Sequence, residues 1–270
     1  QQVSVLTTEQ VRALRSADLG GLGTDDIAAL GASAVAALST GQFAALSTDQ
    51  LRAIGTAQVG SLTTAQLAAL DTADFNAMTT AQFAAMANTQ IAALGTVQLA
   101  TMESADLAAW DSEQIRALTS RQLAALDSAD LKALSADVAA ALSTVQLRGI
   151  GSEALGGLTT DAVAALTTQQ LASLTTTQLA GLESTQLQAL GTQQVVGLTT
   201  AQVASLASDS LNALKADQFA ALTTAQVAAI GTARIQTLES ADLAALTTNQ
   251  LRALSTRAIE AMDSADLAAL

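Results

Sequence analysis

The side chains in this chain that could do chemistry are almost all hydroxyls and carboxylates, set on a fixed grid of eight residues. The 270 residues include no His and no Cys. The commonest acid–base and nucleophilic groups are therefore missing, and so are thiolate and imidazole metal ligands. Ser, Thr, Asp and Glu are plentiful, but their spacing fits helix capping and solvent faces. Glu113 and Glu153 fall on a grid position that reads as surface. Asp25–Asp26 reads as a charge pair at a helix start rather than a cation site. Gly20–Gly21 lacks the Lys-Ser/Thr or the spaced third Gly of a phosphate-binding loop. No calcium loop of the Asp-x-Asp-x-Asp-Gly type occurs. The aromatics Phe43, Phe75, Phe83, Phe219 and Trp110 all sit on apolar grid positions, so they read as core rather than as stacking platforms. We assign no catalytic, cofactor-binding or metal residue and expect no cofactor, no small-molecule substrate and no enzyme activity.

The elements that would carry these groups follow from the grid itself. The unit is visible in Thr63-Thr64-Ala65-Gln66-Leu67-Ala68-Ala69-Leu70, and its register holds for 34 octads, with one lapse at Ala139. Position one is mixed. Position two is Ser or Thr almost everywhere, and position four is mostly Gln or Asp. Position five is Leu, Val, Ile or Phe, position seven is small, and position eight is Leu, Ile, Met or Trp. A fixed period over a whole chain predicts a stacked repeat architecture.

One long helix does not fit this pattern. Eight residues turn through about 800°, roughly 80° past two turns, so the apolar stripe would sweep round the helix and no partner face could bury it. A β-strand does not fit either, because the Gln-Leu-Ala-Ala-Leu run lacks alternation and is built of helix formers. The expected fold is all-α: a solenoid, or superhelix, of very short helices, one per octad. Such helices are far below the length that is stable alone, so stacking on neighbours must supply the stability. Positions five and eight are expected inside, positions three, four and six largely outside. The small residue at position seven would let helices approach closely.

Two registers are open for the helix start. Ser or Thr at position two is a favoured N-cap. Alternatively, position one is the cap and Thr-x-x-Gln forms a capping box. The first is preferred here, because Arg15, Glu103 and Lys215 at position one are poor caps. In that register the Gly residues of position one, such as Gly23 and Gly55, suit a left-handed turn after the helix.

Composition narrows the partners. The net charge is −13, from 24 acids and 11 bases, so no basic nucleic-acid footprint is present. No stretch is long and apolar enough for a membrane span. Gln1-Gln2-Val3 is not a signal peptide. The array runs through 1–270 without an internal boundary, and its ends lack polar capping octads. The expected partner is therefore the chain itself, as a homo-oligomer or filament.

A longer repeat lies at 17 octads, or 136 residues, which predicts a duplication of 1–134 in 135–270. Arg12, Arg116 and Arg121 match Arg148, Arg252 and Arg257. Gly20–Gly21 matches Gly156–Gly157. Asn76, Phe83 and Thr101 match Asn212, Phe219 and Thr237. The matched arginines are candidates to meet acidic residues on a neighbouring strand.

The Thr-Thr-Ala-Gln-Leu-Ala-Ala-Leu unit resembles the Ala/Thr/Leu/Gln-rich tandem-repeat regions of large bacterial secreted surface proteins and adhesins. The resemblance covers the whole chain. It implies an extracellular or cell-surface, structural or adhesive role and carries no site residues with it; a cytoplasmic location is also compatible with the composition. The expected function is a structural fibre, stalk or surface layer built by end-to-end stacking. The alternative is a binding module that holds a peptide or protein in the solenoid groove, which would call for aromatic or variable residues gathered on one exposed face.

Overall fold

Each octad folds as one short helix. The structure, a computed structural model, describes residues 2–270. Among them are 33 α-helices of four to six residues, preceded by a 3-10 turn at Val3–Val5, and no strand. Contacts group into two compact units, Gln1–Leu126 and Asp127–Leu270. In both, each helix packs against the helix three octads away. Thr24–Ala29 packs on Thr48–Ala53 in the first unit, and Ala136–Ala141 on Thr160–Ala165 in the second. Each unit is thus a solenoid of short helices.

The octad at Thr63 shows why the chain turns where it does. Thr63 is extended (φ −77°, ψ 151°), the helix runs Thr64–Ala69, and Leu70 is extended again (φ −70°, ψ 133°). Two extended residues, positions eight and one, make the corner. Leu67 and Leu70 point inward and are 1% and 4% exposed, while Ala65 and Ala68 lie outside. Phe43, Phe75, Phe83, Phe219 and Trp110 are all fully buried on the same positions. Phe75 and Phe83 meet edge-on with ring centres 5.0 Å apart, and the Trp110 Nε1 donates to the Phe83 carbonyl at 3.0 Å. Ala139, the lapse in the grid, is fully buried where a larger residue normally stands.

Three sequence expectations are corrected. The N-cap is position one, not position two: the Gln66 N–H donates to Thr63 Oγ1 at 3.2 Å and the Thr63 N–H donates to Gln66 Oε1 at 2.8 Å. This reciprocal pair satisfies two helix-start donors at once. It also explains the poor caps. Lys215 offers no capping acceptor, yet its own N–H is held by Gln218 Oε1 at 2.8 Å. Where position four is Gln, it does half of the capping even when position one offers no acceptor.

The glycines of position one are not left-handed turns. No described residue has positive φ, and Gly55 is an extended N-cap (φ −72°, ψ 158°) whose N–H donates to Gln58 Oε1. The third correction concerns position four, which lies inside. Gln66, Gln82, Gln186, Gln218 and Gln226 are all nearly inaccessible.

Position seven behaves as its small size predicts. A Cβ added at Gly197 would stand 2.9 Å from the Thr168 Cβ. At Ser205, the hydroxyl reaches the Thr176 carbonyl at 3.4 Å. In both cases position seven rests on a position-two residue 29 places earlier.

Candidate functional site

The polar side chains of the interior converge on a ladder of glutamines. Each one caps its own helix with Oε1 and spends Nε2 on carbonyls four octads back. Gln66 donates to the Val35 and Leu38 carbonyls, both at 2.9 Å. Gln90 donates to Val59 and Leu62 at 2.8 and 2.7 Å. In the second unit Gln202 does the same to Leu171 and Leu174, both at 2.8 Å, and Gln226 to Val195 and Leu198 at 2.9 and 2.7 Å. The acceptors are the carbonyls of position five, which also takes the position-eight N–H of its own octad (Leu38 to Val35 at 3.2 Å), and of position eight, which lies past the end of the helix. Helix packing links octads three apart and the glutamines link octads four apart. A turn of the solenoid therefore takes between three and four octads.

Glutamine is well matched to this place. Its amide carries an acceptor and two donors on one neutral group, so one side chain closes three bonds in a buried setting without a charge to desolvate. The sequence held a signal for it. Position four repeats Gln far more regularly than position three repeats anything, which an exposed site has no reason to do.

Aspartate at position four cannot donate when ionised, and it uses a different partner. The Thr80 Oγ1 donates to Asp106 Oδ1 at 2.6 Å, and the Ser240 Oγ to Asp266 Oδ1 at 2.8 Å. Burial raises the Asp106 carboxyl above its ordinary range; the Thr80 bond opposes the rise and Glu103 adds to it. Asp242 sits in the same Glu-Ser-Ala-Asp-Leu-Ala-Ala context, but the residue corresponding to Thr80 is Ala216. Its Oδ2 is buried with no hydrogen-bond partner. Burial, and then the charge of Glu239, push this carboxyl up to about 6.

Position six carries a second set of donors. Arg12 Nε donates to the Ala37 carbonyl at 3.2 Å and Arg52 Nε to the Ala77 carbonyl at 3.0 Å. Asn76 Nδ2 donates to the Thr101 carbonyl at 2.7 Å, and Asn212 Nδ2 to the Thr237 carbonyl at 2.8 Å. Each spans three octads and serves the carbonyl of position seven. Two residues matched across 136 places, Asn76 with Asn212 and Thr101 with Thr237, are thus bonded to each other within each copy. Arg12 spends its Nε on its own chain. Arg121, Arg148, Arg252 and Arg257 are exposed.

The remaining sequence candidates lie apart. Glu113 and Glu153 are exposed on separate helices, and Asp26 accepts from the Gly23 N–H at 3.2 Å. No group of three or more His, Cys, Asp or Glu side chains gathers among the described residues. A depression in the first unit is lined by Arg12, Arg15, Thr40, Gln42 and Gln66. Several of its polar groups are engaged within the chain: Arg15 pairs with Asp18 at 2.8 Å, and Gln42 donates to the Leu14 carbonyl at 2.6 Å. No helix among the described residues is long and apolar enough to cross a membrane.

A family model described as the ALTTAQ repeat matches residues 12–48, 35–72, 67–102, 99–136, 138–176, 163–200, 171–208, 179–216 and 235–270. The chain belongs to the ALTTAQ repeat family. Ala221-Leu222-Thr223-Thr224-Ala225-Gln226 spells the motif in full. In the ALTTAQ repeat this string crosses the corner from the end of one helix into the capping box of the next: Thr223 caps, and Gln226 closes the box and reaches back to Val195 and Leu198. The motif therefore contains both the corner and the ladder residue. No curated protein matches the chain.

Proposed function

We propose that this ALTTAQ repeat chain is a structural, non-catalytic protein that forms a fibre, stalk or surface layer by end-to-end stacking, outside the cell or on its surface. The observation that carries this reading is the glutamine ladder. It commits the interior polar side chains to backbone bonds between octads, and its rule is purely local. Each ladder glutamine is satisfied by its own octad and one four octads back, so nothing in this bonding sets a length, and a further copy of the same octads meets the same partners. Arg15, Gln42 and Gln66, which line the depression in the first unit, are engaged within the chain, which favours a scaffold over a groove binder. The resemblance to bacterial surface-protein repeats supports the location.

The test is electron microscopy of the purified protein over a range of concentrations, paired with light scattering. Rods that lengthen with concentration are expected. Particles that stay single and short at the highest concentration would defeat the proposal. If those single particles captured a defined peptide, the binding-module reading would take its place.

A further inference from the structure

We propose that Asp242 makes the junction of helix Ala216–Ala221 with helix Ser240–Ala244 a proton-sensitive joint, tightened in mild acid when Asp242 carries a proton and loosened when it is ionised. The argument rests on what surrounds the carboxyl. Asp242 is 7% exposed, and its Oδ2 is buried without a partner. At the equivalent place Asp106 accepts a hydroxyl bond from Thr80, but Ala216 has no hydroxyl to give. An ionised carboxylate here leaves an acceptor unpaired in a poorly solvated setting.

A proton changes the chemistry of the position. A protonated carboxyl is a donor, as the glutamine amide is at this place in other octads. At those octads the amide donates to the carbonyls 31 and 28 residues earlier, as Gln218 does to Leu187 and Leu190. For Asp242 the corresponding carbonyls belong to Leu211 and Leu214. The neutral acid thus approaches the ladder's own bonding, and the ionised acid does not.

The charged groups around the joint give the anion little help. Lys215 and Asp217 stand at the start of the helix below, Asp263 and Asp266 at the start of the helix above, and Glu239 caps the helix itself. Of these, Glu239 acts on Asp242 most, and its charge opposes ionisation, although its N–H donates a bond to the carboxylate. Asp266 is turned to Ser240 instead.

The sign of the effect follows from linkage. The folded carboxyl is raised to about 6 from 3.8. The folded joint therefore binds the proton more tightly than the open one, and the stabilisation is fully present below 3.8 and lost as pH rises through 6. The experiment uses the full chain and follows hydrogen exchange of the Asp242–Ala245 amides, corrected for intrinsic rates, from pH 4 to 7.5. Asp242→Asn is the reference, because its amide stays neutral throughout. The expected opening constant of the parent, divided by that of the variant, rises by up to about tenfold per pH unit between about 4 and 6 and then levels. Ala216→Thr supplies the missing hydroxyl. It should protect these amides at pH 7.5 more strongly in the parent than in an Asp242→Asn background, because a hydroxyl bond to an ionised carboxylate is stronger than one to a neutral amide. A ratio that does not change with pH overturns the proposal, and so does an Ala216→Thr effect of equal size in both backgrounds.

Discussion

Gly157 lies so close to Ser128 that a Cβ on it would stand 2.1 Å from the Ser128 carbonyl oxygen. No rotamer relieves such a contact, because both partners are backbone. The residue at position seven is here the contact surface itself, and its lack of a side chain sets how near two helices of the second unit come. Gly21, which occupies the matching place 136 residues earlier, would meet only its own Asp18 carbonyl, at 3.4 Å. Gly157→Ala is expected to cost about 1–3 kcal/mol through overpacking. Gly21→Ala is expected to be neutral or to stabilise by up to about 1 kcal/mol, since Ala is the better helix residue and φ is already negative there. Urea denaturation of the two variants checks the contrast. Equal effects would mean that the close approach is not what holds Gly157.

The ladder makes its own prediction at Gln66. Replacing it with Glu keeps an acceptor for the Thr63 N–H but turns the two donor bonds to Val35 and Leu38 into carboxylate–carbonyl repulsions. The expected loss at pH 7 is about 3 kcal/mol. Below the ordinary carboxylate range the protonated side chain donates again, and part of that loss should return. Gln66→Leu, equal in bulk and mute, should lose about 1–2 kcal/mol with no such recovery. Thermal melts at pH 3.5 and pH 7 separate the cases. A Glu variant that melts like the Leu variant at both values would show that the amide's donors are not engaged.

How far the sequence revealed this arrangement depends on which residue is asked. Leu67 and Leu70 declared themselves inside, because an apolar spacing of three and five can be buried by one short helix and by little else. Gln66 did not. A polar side chain reads as surface unless its partners are known, and those partners are backbone carbonyls about 30 residues away, on which sequence carries no label. The cap register failed for a related reason. Lys215 looks unfit for an N-cap only if capping is the work of one residue; the bond from N-cap N–H to glutamine is indifferent to the side chain at position one. The Asn76–Thr101 pairing was half visible, in that both residues recur together 136 places later, but their contact across three octads needed the fold.

That pairing is open to a substitution the chain has made elsewhere. Arg12 and Arg52 serve the position-seven carbonyl from position six just as Asn76 does. Asn76→Arg should therefore leave stability within about 0.5 kcal/mol of the parent, whereas Asn76→Ala should lose about 1 kcal/mol with the bond. The Arg variant also removes the Asn76 Oδ1, a buried acceptor without a partner. Chemical denaturation of both variants is the check. If Arg is as damaging as Ala, position six contributes by size and not by donation.

Leu67 tests the inside and outside of the octad together with the reach of a defect. Its side chain is 1% exposed, and Asp there would be a buried charge, so Leu67→Asp is expected to cost several kcal/mol. Ala68→Asp, one residue on and exposed, should change stability by no more than about 0.5 kcal/mol. The damage should also be bounded. Helix Thr64–Ala69 packs on Thr40–Phe43 and Asn88–Ala92, and the Leu67 carbonyl receives the amide of Gln98 at 2.9 Å. In a stack whose octads meet only near neighbours, local loss propagates weakly. Hydrogen exchange in Leu67→Asp should therefore show protection lost over these helices and at Gln98, with the amides of Thr8–Ala13 much less affected. Uniform loss of protection throughout the first unit would make that unit one cooperative block and refute the quasi-one-dimensional account. Parent-like protection at Thr64–Ala69 would refute the placement of Leu67 in the core.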